Sequence, residues 1–477
     1  MMTNLKSILL GTGAAIVAAT TAQAADLPVV EPVDYVQICD LYGDGFFYIP
    51  GTNTCLELSG FARFEARFNG DEAPSDDYNG APFALAVPNQ TVVVNPVTGL
   101  PVVLEADGDN FAFGARGRLN IDARTETELG TLRSFIQFDA GTSFGVSSID
   151  DVDIDLAFIQ FEVGPTIMTA GLAASISGVS GPDTLGDATA FESGLGETIQ
   201  LAFAFDFGPV SAAIAISDPQ TTVGTQVFDG FVVAPGVLAA NPTNFVNFTS
   251  QNGLSKDLPY LEAAFDFDLG PVSIDTGFAL GQVEGRVQAF DATTGVLLSR
   301  DFDEVGYGAA ISGQVDIAAL RVKAGASYAK GIADFGQDGF TADYRIGTPF
   351  GAPVALTSAG ALAQLDMELV EAYSFYGQIG ANVGAVSVNL IGTYGQIEYP
   401  TFQNASVING GDKAEAYTVA LNASVTPVDG LRITGEVYYS DVEVDRNLNT
   451  AAPQFSNADG SYDDDQFGAI FRIERSF

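Results

Sequence analysis

The sequence predicts an all-β fold: a 16-stranded antiparallel transmembrane β-barrel with short periplasmic turns, long outer loops and an inward-folded third loop. Three observations carry this. Runs of alternating apolar and polar residues recur from Leu56 to the end of the chain. Short turns and long polar stretches take turns between those runs. The last stretch, FGAIFRIERSF, sets Phe467, Ala469, Phe471, Ile473 and Phe477 on one face and Gly468, Ile470, Arg472, Glu474 and Ser476 on the other. A period of two with unlike faces marks a strand lying between unlike media, and a barrel closes by pairing its last strand with its first. On this stretch alone an edge strand of a soluble sandwich is the alternative. A sandwich gives no reason for the alternating connections.

Met1 to Ala24 reads as a secretory signal, with Lys6 in a positive n-region, an apolar run from Ile8 to Ala19 and a small-x-small site at Ala22-Gln23-Ala24. Beyond it no apolar run reaches the roughly 18 residues a spanning helix needs. Residues 25–55 form a lead-in that holds both cysteines of the chain, Cys39 and Cys55. In an exported protein such a pair reads as a disulfide, contributing about 3 kcal/mol in the chain-entropy model; a reactive thiol pair is the alternative. Residues 56–477 show no linker-like break and read as one closed sheet.

The strands follow in order. Leu56–Phe68 turns Ala62, Phe64, Ala66 and Phe68 one way and Arg63, Glu65 and Arg67 the other. Asp109–Ala123 opposes Phe111, Phe113, Ala115, Leu119 and Ile121 to Arg116, Arg118, Asn120 and Asp122. Further strands are predicted at Leu132–Ala140, Val152–Val163, Thr166–Leu172, Thr198–Phe207, Val210–Ile216, Leu258–Leu269, Val272–Gly285, Glu304–Val315, Ala319–Lys330, Glu371–Ala381, Ala385–Gln396, Ala414–Val425, Leu431–Val444 and Gln466–Phe477. In Val152–Val163 the apolar parity switches, which suggests a bulge. Near-repeated turns join alternate pairs: EVGPTI, DFGPVS, DLGPVS, NVGAVS and TPVDGLRI, with the Gly and Pro chemistry of tight turns. The long connections are Asn69–Gly108, Ala173–Glu197, Ser217–Asp257, Arg286–Asp303, Gly331–Val370, Ile397–Lys413 and Asp445–Asp465. Short turns belong on the periplasmic side and long loops outside.

Charge is unevenly placed. The formal net charge is −41, which argues against nucleic acid as a partner. Arg63, Arg67, Arg116, Arg118, Arg124 and Arg133 come early; then no Lys or Arg occurs before Lys256. In a closed sheet this separates the signs around the circumference. The connection Ala173–Glu197 is rich in small residues, and Ala202, Ala204, Ser211, Ala213 and Ala215 leave room on the inner wall after it. The expectation is that residues 173–197 fold inward and set Asp183, Asp187, Glu192 and Glu197 across the lumen from Arg63, Arg67, Arg116, Arg118 and Arg133, a pore constriction with a transverse field. The alternative is a surface loop, with arginines paired to Glu65 and Asp122.

The chain has no histidine. That removes the commonest general base, any Ser-His triad and His-ligated metal, so no enzyme is expected. Asp151-x-Asp153-x-Asp155 and Asp463-Asp464-Asp465 are acidic enough for Ca²⁺ or Mg²⁺ at the outer loops, where divalent ions would bridge to anionic lipopolysaccharide, but the register of a calcium-binding loop is missing, so acidic loop ends are the better reading. No other cofactor is expected.

YVQICDLYGDGFFYIPGTNTCLELSGFARFEARF, from Tyr35 to Phe68, resembles the opening of the alphaproteobacterial general porins of rhizobial and Brucella type, in which two cysteines bracket an FYIPG-like stretch leading into the first strand. The resemblance implies a barrel in the Gram-negative outer membrane, a homotrimer, and passive diffusion of small hydrophilic solutes and ions. The acidic bias adds an expectation of cation preference. The alternatives are a substrate-selective channel for sugars or dicarboxylic compounds, which would want an aromatic slide where the inward aromatics Tyr260, Tyr376 and Tyr438 are instead scattered, and a plugged structural barrel.

Overall fold

A computed structural model describes residues 37–477 except 70–90, 95–100, 105–110, 143–148, 186–189, 219–247, 251–257, 292–295, 333–334, 336–343, 348–361, 364, 399, 401, 405–406, 410–412 and 446–461. The expected signal segment lies outside the described residues.

Long strands follow one another as β1 (Thr54–Asn69), β2 (Phe111–Thr127), β3 (Gly130–Thr142), β4 (Ile149–Val163), β5 (Thr166–Ala174), β6 (Glu197–Asp206), β7 (Val210–Ser217) and β8 (Tyr260–Asp268). The second half is β9 (Val272–Asp291), β10 (Val296–Ile317), β11 (Leu320–Lys330), β12 (Glu371–Val383), β13 (Val386–Glu398), β14 (Lys413–Val428), β15 (Leu431–Asp445) and β16 (Tyr462–Ser476). Each is antiparallel to its neighbour in sequence. β16 returns to β1, from Phe61 opposite Ser476 to Asn69 opposite Gly468, and the sheet closes. Closure removes the open edges that such a sheet would otherwise present. Two short strands, Phe47–Tyr48 and Phe248–Ser250, add to β1 and β9 and bring the sheet to 18 strands.

The two faces meet unlike surroundings. Leu58, Phe64, Phe68, Phe113, Ile199, Ile214, Phe278, Ile379, Leu421 and Phe471 are exposed on the outer face. The inner face buries Glu65, Asp122, Gln137, Glu262, Gln378, Asn422 and Glu436. Apolar-out, polar-in is the inverse of a soluble core and suits lipid outside. At the long-loop ends of β10 to β15 the outer face carries paired rings: Tyr307 with Tyr328, Tyr373 with Phe375 and Tyr394, Tyr417 with Tyr439. Such rings sit where hydrocarbon meets headgroups.

The repeated turns have a backbone cause. Gly208 and Gly270, in the DFGP and DLGP turns, hold φ of 88° and 84°, a region that costs glycine nothing and other residues much. The parity switch in β4 is a bulge: Phe138 faces Ile154 and Gln137 faces Leu156, so Asp155 is the extra residue.

Two boundaries differ from expectation. Most of Arg286–Asp303 is strand, because β9 and β10 stay paired to Asp291 opposite Val296 and project as one long hairpin. Asp463-Asp464-Asp465 belongs to β16, where its cross-strand partners are Glu443, Val442 and Asp441, rather than to a loop end. In the first long connection Thr91–Val94 pairs with Pro101–Leu104 as a ribbon.

The lead-in folds beneath the short-turn end of the barrel. Cys39 and Cys55 form a disulfide, Cα atoms 6.0 Å apart. Phe46 is buried beside it. The Arg124 guanidinium lies over the rings of Tyr42 and Phe46, and the Tyr42 hydroxyl donates to Glu126 at 3.5 Å. Arg124 and Glu126 are inner-face residues of β2, so the lead-in reaches under the lumen.

Candidate pore constriction

On β1 to β4 and β16 the inner face alternates guanidinium and carboxylate. Asp122 receives Arg124 at 2.7 Å and Arg133 at 2.9 Å. Asp139 receives Arg116 at 2.6 Å and Arg118 at 2.8 Å, and Arg118 also reaches Asp155 at 3.0 Å. Glu65 receives Arg67 at 2.6 Å and Arg472 at 2.5 Å; Glu474 receives Arg63 at 2.7 Å. The bulge explains Asp155: the added residue aims its carboxylate at Arg118 and Gln137. The pairing follows from burial. Glu65, Arg67 and Asp122 are held almost out of water, where an unpartnered charge is costly.

Between β5 and β6, residues 175–185 and 190–196 turn into the barrel. The Ser175 amide donates to the Gly196 carbonyl at 2.7 Å and closes the neck. Buried Glu262 of β8 accepts from the Ser175 hydroxyl at 2.5 Å and from the Ser177 amide and hydroxyl at 3.1 and 2.7 Å. The Ser217 hydroxyl completes its shell. Gly277 on β9 allows the approach, because a Cβ there would lie 1.8 Å from the Ser177 carbonyl oxygen. The segment then crosses the lumen. The Ser180 hydroxyl donates to Asp275 at 2.6 Å, and the Tyr376 hydroxyl donates to the Ser180 carbonyl at 2.7 Å. Asp183 accepts from Lys323 at 2.9 Å and from Gln378 at 2.7 Å, while Asn422 donates to its carbonyl at 2.6 Å. Glu436 accepts from the Thr184 hydroxyl and the Leu185 amide, and Arg472 donates to the Leu185 carbonyl at 3.0 Å. Leu185 packs on a lumenal apolar patch of Ile391, Ala420, Tyr438 and Ile470. Returning, the Ala190 amide donates to Thr393 and the Glu192 amide to Ser374.

Burial pushes the Asp183 carboxyl up, but the hydrogen bonds from Gln378 and Lys323 and the charge of Lys323 outweigh it and hold it below the ordinary carboxylate range.

The inward fold is present; the facing of charges differs from expectation. Arg63, Arg67, Arg116, Arg118 and Arg133 find carboxylates on their own wall, because cross-strand acids lie nearer than a loop across the lumen. Asp183 turns to Lys323 on β11 instead. Glu192 touches the wall through its main chain. Glu197 opens β6 on the parity of Ile199 and Leu201, the lipid side, and is exposed. Asp187 lies outside the described residues. Glu262, Lys323, Gln378, Asn422 and Glu436 were missed. Their signal was present: each is a polar residue at an inner position among small or apolar ones. Tyr260, Tyr376 and Tyr438 do not line a water path: each is nearly buried, with its ring over the wall at Gly281, Gly325 and Gly468.

A closed antiparallel barrel, polar inside, apolar outside and partly crossed by one of its own loops, defines an outer-membrane porin-type barrel. The chain belongs to the porin subfamily, whose profile matches residues 26–467. A putative outer membrane protein, y4fJ of Sinorhizobium fredii, is 33% identical over 46% of this chain and 55% of its own length. Porin Omp2a of Brucella ovis is 41% identical over 28% of this chain and 31% of its own length. The chain thus aligns with about half or less of these relatives. The outer membrane channel DcaP of Acinetobacter baumannii shares the fold, with a TM-score of 0.53, 16% identity, and coverage of 90% of this chain and 99% of that one. The chain is an outer-membrane protein.

Proposed function

We propose that the chain forms a water-filled channel for passive diffusion of small hydrophilic solutes and ions, with residues 175–185 and 190–196 narrowing the lumen. One observation carries this reading: the inward segment is held by hydrogen bonds to side chains from β8 round to β16, while charges on β1 to β4 pair across adjacent strands, including β16. A fixed narrowing beside a charged, hydrated wall sorts solutes by size and charge. The net charge of −41 favours cation preference. A substrate-selective channel is less well supported, because the three lumenal tyrosines are stacked against glycine rather than presented to a passing solute. The absence of histidine and the family together favour a channel without catalysis.

The partners follow from setting: lipid and lipopolysaccharide around the wall, and two further copies in a homotrimer, which the family resemblance supports. Divalent cations at the acidic outer end of the barrel, where Asp463 to Asp465 of β16 lie beside Asp441 and Glu443 of β15, are a further part of this reading, and a chelator should then lower thermal stability in lipopolysaccharide-containing membranes.

The test is purified protein in a planar bilayer under a salt gradient. Discrete open steps with a cation-selective reversal potential are expected. Steps with anion preference would keep the channel and overturn the cation preference. Folded protein that gives no steps would leave a plugged barrel.

A further inference from the structure

Below the inward segment, toward the short turns, lies a cavity of about 500 Å³. Arginines enter it from four strands: Arg63 on β1, Arg321 on β11, Arg432 on β15 and Arg472 on β16. The acids lining it are Asp183 and Glu474. Both are engaged, Asp183 by Lys323 and Gln378, and Glu474 by the Arg63 Nε and Nη2 at 2.9 and 2.7 Å. Arg472 is held by Glu65, and Arg321 by Asp316 at 3.0 Å in a pair about half open to water.

Arg432 differs. Its cross-strand neighbour is Glu474, whose carboxylate is turned to Arg63. Among the described residues no hydrogen-bond or ion-pair partner holds the Arg432 guanidinium, and it stands exposed on the cavity wall. Every other arginine of the cavity has a carboxylate partner. A hydrated guanidinium on a wall with four arginines and two engaged acids is a site for negative charge, and its planar fork matches carboxylate and phosphate oxygens in pairs. The volume is that of a small-molecule pocket and well beyond a lone inorganic ion.

We propose that this cavity is a transient binding subsite for small organic anions bearing a carboxylate or phosphate group, seated on Arg432 with Arg321 as a second arm. The proposal rests on the channel reading above. It places an anion station inside a channel whose overall charge favours cations. Loose, solvent-exposed seating suits conduction, which needs entry to be favourable and release to remain fast.

The experiment is single-channel recording with citrate, glucose 6-phosphate or neutral glucose added to the short-turn side. Expected are concentration-dependent interruptions of the current with both anions, none with glucose, and entry more frequent from that side than from the other. Interruptions with only one anion support the site and identify the group it takes. In Arg432→Gln the interruptions should shorten about tenfold, and in Arg321→Gln by less, since that guanidinium already has Asp316. Neither change removes a buried contact, so open steps should persist in both. Interruptions of equal length in wild type and Arg432→Gln would overturn the site, as would a wild-type channel that conducts without any, and the channel reading would stand in either case. Equal interruptions by glucose would overturn the charge-based recognition. Folded protein without steps would bring down the channel reading and this inference together.

Discussion

The lumen has two walls that solve the burial of polar side chains in opposite ways. Along β1 to β4 and the adjoining β16, arginines and acids on adjacent strands pair with one another, with Asp122, Asp139 and Glu65 each shared by two guanidiniums, and Arg472 of β16 also reaches the inward segment at Leu185. The β8 to β15 wall is incomplete without the inward segment. Glu262, Gln378, Asn422 and Glu436 hydrogen-bond the main-chain groups of Ser177, Asp183 and Leu185, which the fold takes wholly or partly out of water. The difference teaches where each change in sequence will be felt. An exposed charge such as Arg116 removed from the first wall should be a local event. A side chain removed from the second releases a segment that narrows the lumen.

The sharpest way to break this comparison is Glu262→Ala. The carboxylate accepts from three serine hydroxyls and one amide, and hydrogen bonds to a charged group contribute about 1.5–3 kcal/mol each, not additively. Docking of the neck should weaken by about 3 kcal/mol, so amide exchange across residues 175–179 should accelerate by about two orders of magnitude. Single-channel conductance should rise as the segment swings. Unchanged exchange protection would mean that the far contacts at Glu436 and Arg472 hold the segment without the neck.

Lys323→Met comes next. Lys323 is nearly buried, whereas Asp183 keeps 41% of its side-chain surface in water. The cost of about 1–2 kcal/mol is therefore below that of a fully buried pair. The pH dependence sharpens the test. Asp183 has a depressed pKa in the folded state. Its contribution is present above the ordinary carboxylate value of about 3.9 and is lost as pH falls through the lower folded value. Protection of residues 181–185 should thus collapse in acid in the wild type, and already be reduced at neutral pH in Lys323→Met. A variant that keeps wild-type protection at pH 7 would show that Gln378 and Asn422 suffice.

The barrel was legible because its physics is periodic. Phe64, Phe113 and Phe471 had to face lipid, and a period of two is visible in any single strand. Even the bulge at Asp155 left a mark, as a change of parity in β4. The inward fold was legible through small residues such as Ala202 and Ala215. What the sequence hid was contact across the lumen. Parity tells that Arg116 and Glu436 both point inward; it does not tell that one meets Asp139 on the next strand and the other a loop amide from 251 residues away. The extra length of β9 and β10 was hidden too, since Arg286 to Asp303 is polar enough to read as loop until the pairing of Arg286 with Asp301 is seen.

The smallest expected effect comes from the first wall, and its smallness is the point. Arg116 keeps 45% of its side chain in water, and its partner Asp139 retains Arg118 at 2.8 Å. Arg116→Gln should change thermal stability by less than about 1 kcal/mol, as for exposed pairs generally. It should leave exchange in residues 175–185 untouched, because the hydrogen bonds described for those residues come from side chains of β8 to β16. What should move is the reversal potential, toward cations, since Asp139 loses one of its two guanidiniums; the shift should fade as salt rises and the Debye length shrinks from about 10 Å at 0.1 M. A loosened inward segment in Arg116→Gln would show that the two walls are coupled, and the division of the lumen into independent halves would fail.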